Sequence, residues 1–184
     1  MTEELENSNL AQRYIDGERD FSEANLDDAD MSKTDLREIS LKKASLSGTN
    51  FTRSDLNAAN LEDANCERTK FYWADLSDSN LSGANLYRAD LRMTRLHRVD
   101  LTNTNLKSAN LMQASLLGAK LQKAILCGAD LHRCDLAKAD LSGTDLRGAD
   151  IWGAKLSGAS YDEQTLFDPG VDPKALGMQL IQSA

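Results

Sequence analysis

The 184-residue chain is predicted to be an all-β solenoid in which every five residues form one side of a coil. Three observations predict this class. A large apolar residue recurs at every fifth position from Phe21 to Tyr161, giving 29 such centres, of which 22 are Leu. The residue two positions before a centre is small in almost every repeat. The residue directly before the centre is Asp or Asn in 20 of the 29 repeats.

Neither regular element of secondary structure can bury this pattern. A straight α-helix turns about 500° in five residues and would spread the centres around its circumference. A straight strand would place residues five apart on opposite faces. Within one repeat, however, the centre and the small residue two positions earlier share one side of a short extended segment, and the remaining residues can turn a corner. Glycines two positions after a centre, such as Gly48 and Gly83, favour corners because glycine adopts a positive φ.

The repeated motif A(D/N)LXX, spelled ANLED at 59–63, resembles that of the pentapeptide repeat family, in particular its uninterrupted cyanobacterial members. This resemblance covers residues 19–163 and implies a right-handed quadrilateral parallel β-helix, in which four repeats form one square coil. Twenty residues per coil give about seven coils and a rod roughly 34 Å long. Residues twenty apart then lie above one another, so one inward column contains the centres Phe51, Phe71, Leu91, Leu111 and Leu131.

Both ends are predicted to carry caps, because the ends of a solenoid expose unpaired strands and core. Residues 1–18 form the N-terminal cap, with a short amphipathic helix over 5–16 that Gly17 ends. Residues 19–163 form the β-helix, and residues 164–184 form the C-terminal cap. Asp172 before Pro173 predicts the start of a second helix over this cap. That helix either covers the last coil alone or also joins two copies in a homodimer, as in some family members.

The composition predicts a cytoplasmic protein without catalytic chemistry. No apolar run is long enough to cross a membrane, and the acidic N-terminal residues MTEELE do not resemble an export signal. The three cysteines form no metal-ligand spacing with His97 and His132, so no metal or other cofactor is expected. A coil without insertions has flat walls and a filled interior, so no enzyme pocket is expected. The regular Asp and Asn residues are expected to bind backbone groups of the adjoining turns.

One wall of the predicted rod differs from the others in its outward side chains. Aromatic, Met and Arg residues collect there, and these types are enriched at the centres of protein interfaces. We therefore expect this wall to bind another protein, which includes a second copy of the chain. The alternative is that the large side chains only stabilise adjacent coils, or that a terminal segment folds over them. The candidate partner face comprises Tyr72, Trp73, Arg92, Met93, Met112, His132, Arg133 and Trp152.

The net charge of −8 suggests a second function. Some family members modulate DNA gyrase and other type II topoisomerases by presenting a DNA-like acidic rod, but those members also tend to carry a loop that this chain lacks. The coil body is nearly neutral, with 20 acidic against 18 basic outward residues over 20–158. No basic patch with interleaved aromatics predicts direct nucleic-acid binding. The candidate acidic stripe, which Arg37 interrupts, comprises Asp35, Glu38, Asp55, Asp75 and Asp78.

Overall fold

The structure, a computed structural model, describes residues 7–182. Its regular elements are helix α1 (Asn7–Ile15) and two short strands, β1 (Ser160–Tyr161) and β2 (Gln179–Leu180), which pair in parallel. Between α1 and β1 the chain alternates two-residue turns with single bridging residues, at a period of five. All of these bridges except the last, between Asp145 and Leu166, join residues twenty apart, so each repeat is one wall and four repeats complete one coil.

Parallel hydrogen bonds between successive coils hold the rod together. Seven consecutive bridges connect residues twenty apart from Asp20 to Ser160. The amide of each centre from Phe21 to Leu146 donates to the coil above, as from Leu91 to the Asn110 carbonyl at 2.7 Å. Within a coil, nearly every corner closes with a turn hydrogen bond, such as that from the Ala74 amide to the Phe71 carbonyl at 2.9 Å. The backbone therefore forms a β-helix, and the all-β prediction is confirmed.

The corners adopt a left-handed backbone whether or not the residue is glycine. The second position after the centre has a φ near +60° at 20 non-glycine residues, Trp73 and Arg98 among them. This conformation costs a non-glycine residue roughly 1 kcal/mol, and the turn and inter-coil hydrogen bonds impose it. At Gly48 an added Cβ would lie 2.3 Å from Oδ1 of Asp28, so a larger residue there would require the Asp28 side chain to rotate away.

The interior is filled by the centres and by the small residues two positions before them. The rings of Phe51 and Phe71 stack with their centroids 5.4 Å apart and their planes 7° from parallel. Cys66 and Cys134 are also fully buried, and burial raises the pKa of each thiol to about 12. These two cysteines are packing residues rather than nucleophiles.

The Asp and Asn residues before the centres hydrogen-bond the turns, as predicted. The amide of Arg92 donates to Oδ1 of Asp90 at 3.2 Å, and the amide of Trp152 donates to Oδ1 of Asp150 at 2.9 Å. The same contact recurs in most repeats that carry Asp or Asn at this position. These regular carboxylates thus serve the fold, and they fix the backbone from which the outward side chains project.

Helix α1 covers part of the first coil. Leu10 is 1% exposed and packs on the core. The helix ends in a Schellman arrangement, in which the Gly17 amide donates to the Tyr14 carbonyl and the Glu18 amide to the Arg13 carbonyl. Gly17 has a φ of 100° there, as its predicted role as the helix stop requires. The predicted start of this helix at residue 5 lies outside the described residues.

The predicted C-terminal helix is wrong, because residues 173–177 form turns and β2 follows. Asp172 does accept hydrogen bonds from the Lys174 and Ala175 amides, at 3.0 and 3.3 Å, as an N-cap would. Gly177, with a φ of 79°, ends this turn at once. The Gln179 amide then donates to the Ala159 carbonyl at 2.8 Å, so the segment joins the ladder instead of forming a helix. Residues 164–182 therefore contain no helix through which the predicted homodimer could form.

Candidate protein-binding wall

All eight residues of the predicted partner face project outward from one wall, which we call the aromatic wall. They occupy the two turn positions after each centre, where the Asp and Asn hydrogen bonds fix the backbone. The inward column of the aromatic wall comprises Met31, Phe51, Phe71, Leu91, Leu111, Leu131 and Ile151.

The lower group on this wall surrounds Trp73, whose residue is 52% exposed. Its indole N–H donates to Sδ of Met93, one coil above, at 2.8 Å. Its ring lies 6.4 Å from that of Tyr72, at an angle of 52°. Two guanidinium groups lie over these rings: Arg53 at 5.8 Å from the Trp73 centroid and Arg92 at 5.3 Å from the Tyr72 centroid. Such cation–π contacts hold charged and aromatic groups in one continuous surface.

Arg92 is oriented by a bidentate ion pair that the sequence did not reveal. Its Nε and Nη2 donate to the two carboxylate oxygens of Asp90 at 2.8 and 2.7 Å. These hydrogen bonds raise the pKa of Arg92, which keeps its full positive charge over the Tyr72 ring. Arg53 was also missed as a wall residue, although it lies twenty residues before Trp73 and the coil length alone places it there.

The upper group on the wall is built around Trp152, which is 60% exposed. The ring of His132, one coil below, stacks on the indole with centroids 4.6 Å apart and planes 22° from parallel. The guanidinium of Arg133 lies 5.5 Å from the same indole centroid. Met112, half-buried, occupies the coil between this group and the lower one.

The two groups form one flat strip rather than a pocket. Trp73 and Trp152 lie four coils apart, which is roughly 19 Å along the rod. Water can be excluded from the whole strip only by a partner whose contact surface has a similar length. A cavity of about 390 Å³ lies elsewhere, between α1 and the first coil, with a lining that includes Leu10, Tyr14 and Met31.

The acidic stripe lies on the next wall along the chain, and arginines neutralise much of it. Arg37 contacts Asp35 at 2.6 Å and Asp55 at 3.8 Å. Two further ion pairs join successive coils, between Asp75 and Arg95 at 2.8 Å and between Asp78 and Arg98 at 2.5 Å. The hydrogen bond from Arg37 lowers the pKa of Asp35, and that from Arg98 lowers the pKa of Asp78. Of the predicted stripe, Glu38 makes no ion pair with any described residue.

No cluster of His, Cys, Asp and Glu within residues 7–182 has the geometry of a metal site. The two histidines lie on different walls. His97 hydrogen-bonds Oγ of Ser115 at 2.8 Å, whereas His132 stacks on Trp152. No helix in the same part of the chain is long and apolar enough to cross a membrane.

Comparison with known proteins places this geometry in a family. A sequence model of pentapeptide repeats matches residues 20–57, 54–92, 94–133 and 128–160, in 8 copies. A comparison with curated protein sequences gave no match. Among solved structures, the chain is similar to HetL, a pentapeptide repeat protein involved in heterocyst differentiation regulation in the cyanobacterium Nostoc sp. strain PCC 7120. The two chains share 24% identity over 93% of this chain and 91% of HetL, with a TM-score of 0.55.

The chain is also similar to full-length QnrB1, a plasmid-mediated fluoroquinolone resistance protein. That match has 17% identity over 89% of each chain and a TM-score of 0.59. At these identities both similarities establish the fold alone. The repeat model, by contrast, matches nearly every residue from 20 to 160. The protein therefore belongs to the pentapeptide repeat family.

Proposed function

We propose that this protein is a non-catalytic binding or scaffold protein, and that the aromatic wall is its contact surface for another protein. One observation carries the proposal: both tryptophans of the chain are at least half exposed, and both lie on this one wall among arginines and methionines. The three free cysteines suit the reducing environment of the cytoplasm, where we place the protein.

Stability of the rod does not account for the exposed aromatic surface. Contacts between coils cover part of each indole and leave 52% of Trp73 and 60% of Trp152 accessible. The described terminal segments pack at the two ends of the rod and do not fold over this wall. A partner that covered the exposed half of one tryptophan would gain about 2–3 kcal/mol from burial of apolar surface. Binding therefore uses surface that folding leaves in water.

The charges on the wall indicate what kind of partner fits. Arg53 and Arg133 lie beside the two tryptophans, and neither forms an ion pair with a described residue. Their guanidinium groups can donate to carboxylates of a partner while the indoles take up apolar side chains. The partner surface that fits best is therefore an apolar strip flanked by acidic residues.

Replacing Trp73 and Trp152 together with Ser is expected to abolish partner capture without loss of the fold. Immobilised wild-type protein should retain a specific protein from a lysate of the native host, and the double variant should not. Tyr87→Ser is the matched control, since Tyr87 is a half-buried aromatic residue, stacked under Arg88, on the preceding wall. Far-UV circular dichroism and thermal melting check that all three proteins fold.

The captured partner can then be tested directly with purified components. Because the chain has only two tryptophans, fluorine NMR of 5-fluorotryptophan-labelled protein gives one signal for each group on the wall. Addition of the partner should shift both signals. Retention of partner binding by the double variant, or binding that leaves both signals unmoved, would contradict the assignment. Unfolding of the double variant would assign the two indoles to stability instead.

The alternative function is that of a DNA-mimicking modulator of DNA gyrase, and the similarity in fold to QnrB1 is the observation that favours it. The ion pairs made by Arg37, Arg95 and Arg98 weaken the acidic stripe on which it depends. A molar excess of the purified protein is therefore expected to change neither gyrase supercoiling nor its inhibition by a fluoroquinolone. Inhibition or drug protection that Asp55→Asn reduces would instead favour the DNA mimic.

A further inference from the structure

Acidic and basic residues lie mostly in opposite halves of the wall that contains the acidic stripe. We call it the charged wall, and it has the inward column Leu36, Leu56, Leu76, Leu96, Leu116, Leu136 and Leu156. Its lower half carries five carboxylates and one arginine: Asp35, Glu38, Asp55, Asp75, Asp78 and Arg37. Its upper half carries four basic residues and one carboxylate: Arg95, Arg98, Lys138, Lys155 and Asp135. The net charges of the two halves differ more here than on the other three walls.

One outward column of this wall is self-complementary. Read from the lower end, its side chains are acidic, small, acidic, basic, small and basic, all in the left-handed corner position. These six residues are Glu38, Ala58, Asp78, Arg98, Gly118 and Lys138, and the uncharged Gly158 continues the column above them. Inverting this order exchanges each acidic residue with a basic residue and each small residue with a small one.

We infer that the charged wall is a docking surface for a second copy of this chain, placed antiparallel. A two-fold axis in the plane of contact, perpendicular to the rod, reverses the rod but keeps each column opposite its own copy. With this axis between the coils of Asp78 and Arg98, Glu38 of each chain faces Lys138 of the other. Ala58 faces Gly118, and Asp78 faces Arg98. In the column before the centres, Asp75 faces Arg95. Asp35 faces Asp135 there, and each of these two carboxylates keeps an ion pair with a basic residue of its own chain.

The existing ion pairs support this arrangement. Asp78 and Arg98 already pair within the chain, yet their side chains remain 41% and 67% exposed. In the dimer the two copies of this pair form a ring of four alternating charges around the axis. Glu38 and Lys138 are exposed, and among the described residues neither has an ion-pair partner. The second copy supplies those partners.

The contact area and the exposed charges make this a weak, salt-dependent dimer. One wall of a rod about 34 Å long offers less surface than a stable interface of about 800 Å² per partner needs. Attraction between exposed charges reaches roughly 30 Å at 0.01 M ionic strength but only about 3 Å at 1 M. Sedimentation analysis is therefore expected to show a monomer–dimer equilibrium in dilute buffer and a monomer at high salt.

Charge reversal tests the antiparallel arrangement. Glu38→Lys places like charges opposite each other twice in each dimer, and Lys138→Glu does the same with the opposite sign. Each single variant removes two attractive contacts from the dimer and adds two repulsive ones. One exposed pair contributes little, but the four changes together are expected to weaken dimerisation roughly tenfold. Glu23→Lys is the matched control, because Glu23 is exposed in the same left-handed corner position of the same coil, on another wall.

Two rescue experiments exclude a general folding or solubility effect. The double variant Glu38→Lys/Lys138→Glu restores opposite charges in both contacts and should dimerise like the wild type. An equimolar mixture of the two single variants should form a mixed dimer, although neither variant dimerises well alone. The inference is overturned if the wild type stays monomeric in dilute buffer, if Glu23→Lys weakens association as much as Glu38→Lys, or if neither rescue restores it.

Discussion

Leu91→Asp is expected to unfold the protein. Leu91 is 0% exposed and lies at mid-rod, with Phe71 and Leu111 in the coils below and above it. A carboxylate at this position would enter an interior column that offers apolar side chains. Desolvation of an unpaired charge costs several kcal/mol, and the loss of the Leu side chain adds about 2–5 kcal/mol. The sum approaches or exceeds the 5–15 kcal/mol by which a typical domain is stable.

The position of this substitution in the rod increases its effect. In a solenoid each coil contacts only its two neighbours, so a disrupted middle coil separates the rod into two short halves. Neither half retains more than about three intact coils, and short stacks of repeats bury too little core to fold alone. The same change near either end would fray only the terminal coil.

Far-UV circular dichroism and urea titration measure the effect of Leu91→Asp. Gln113→Asp is the matched control, because it adds the same charge at an exposed corner of the adjacent coil and should leave the transition unchanged. Leu91→Met preserves side-chain volume and should cost less than about 1.5 kcal/mol. A cooperative transition at wild-type denaturant concentration for Leu91→Asp would show that the side chain does not face the core.

The interior of this rod is the part that the sequence predicts best. A period of five with no insertion leaves one register, and that register assigns Phe51, Phe71 and every other centre to the core. The residues alone did not give the angle at the corners, because many turn geometries satisfy the same spacing. That angle followed only from the resemblance to a known family. The structure shows the matching number of repeats, four per coil, as bridges between residues twenty apart.

The corners and the C-terminus show where local rules fail. Glycine at Gly48 signals a positive φ, but Trp73 and Arg98 adopt the same conformation without any local signal, because the ladder imposes it. At the C-terminus, Asp172 and Pro173 are correct signals for the start of a helical turn. The competing hydrogen bonds come from Ala159 and its neighbours in the last coil, which a window of local sequence does not contain.

The candidate site was predictable at the level of columns and not of side-chain contacts. A spacing of twenty places the outward residues of the aromatic wall above one another. It does not decide that Arg92 pairs with Asp90 while Arg53 lies over Trp73, because rotamers choose among several nearby partners. The same limit applies to the acidic stripe, where sequence counted carboxylates and the structure shows Arg95 and Arg98 bound to two of them.

Phe71→Ala is expected to destabilise the rod by about 3–5 kcal/mol, through lost burial and the cavity that remains. Phe71 and Phe51 are both 0% exposed and stack in adjacent coils, so Phe51→Ala should cost a similar amount. The two losses are not additive. The first substitution already removes the stacking term of about 0.5–1.5 kcal/mol, and the second enlarges a cavity that exists. The double variant is therefore expected to lose less stability than the two single variants together.

A double-mutant cycle by urea titration measures this coupling. The control pair is Phe51→Ala with Leu131→Ala, two centres of the same inward column that lie four coils apart and share no contact. Their costs should add to within about 0.5 kcal/mol. Phe51→Leu/Phe71→Leu makes this part of the column match the Leu that occupies most other centres, so it should cost less than either alanine variant. If the costs of Phe51→Ala and Phe71→Ala simply add, the two rings do not contribute through mutual contact. If the costs of Phe51→Ala and Leu131→Ala do not add, stability is not transmitted only between neighbouring coils.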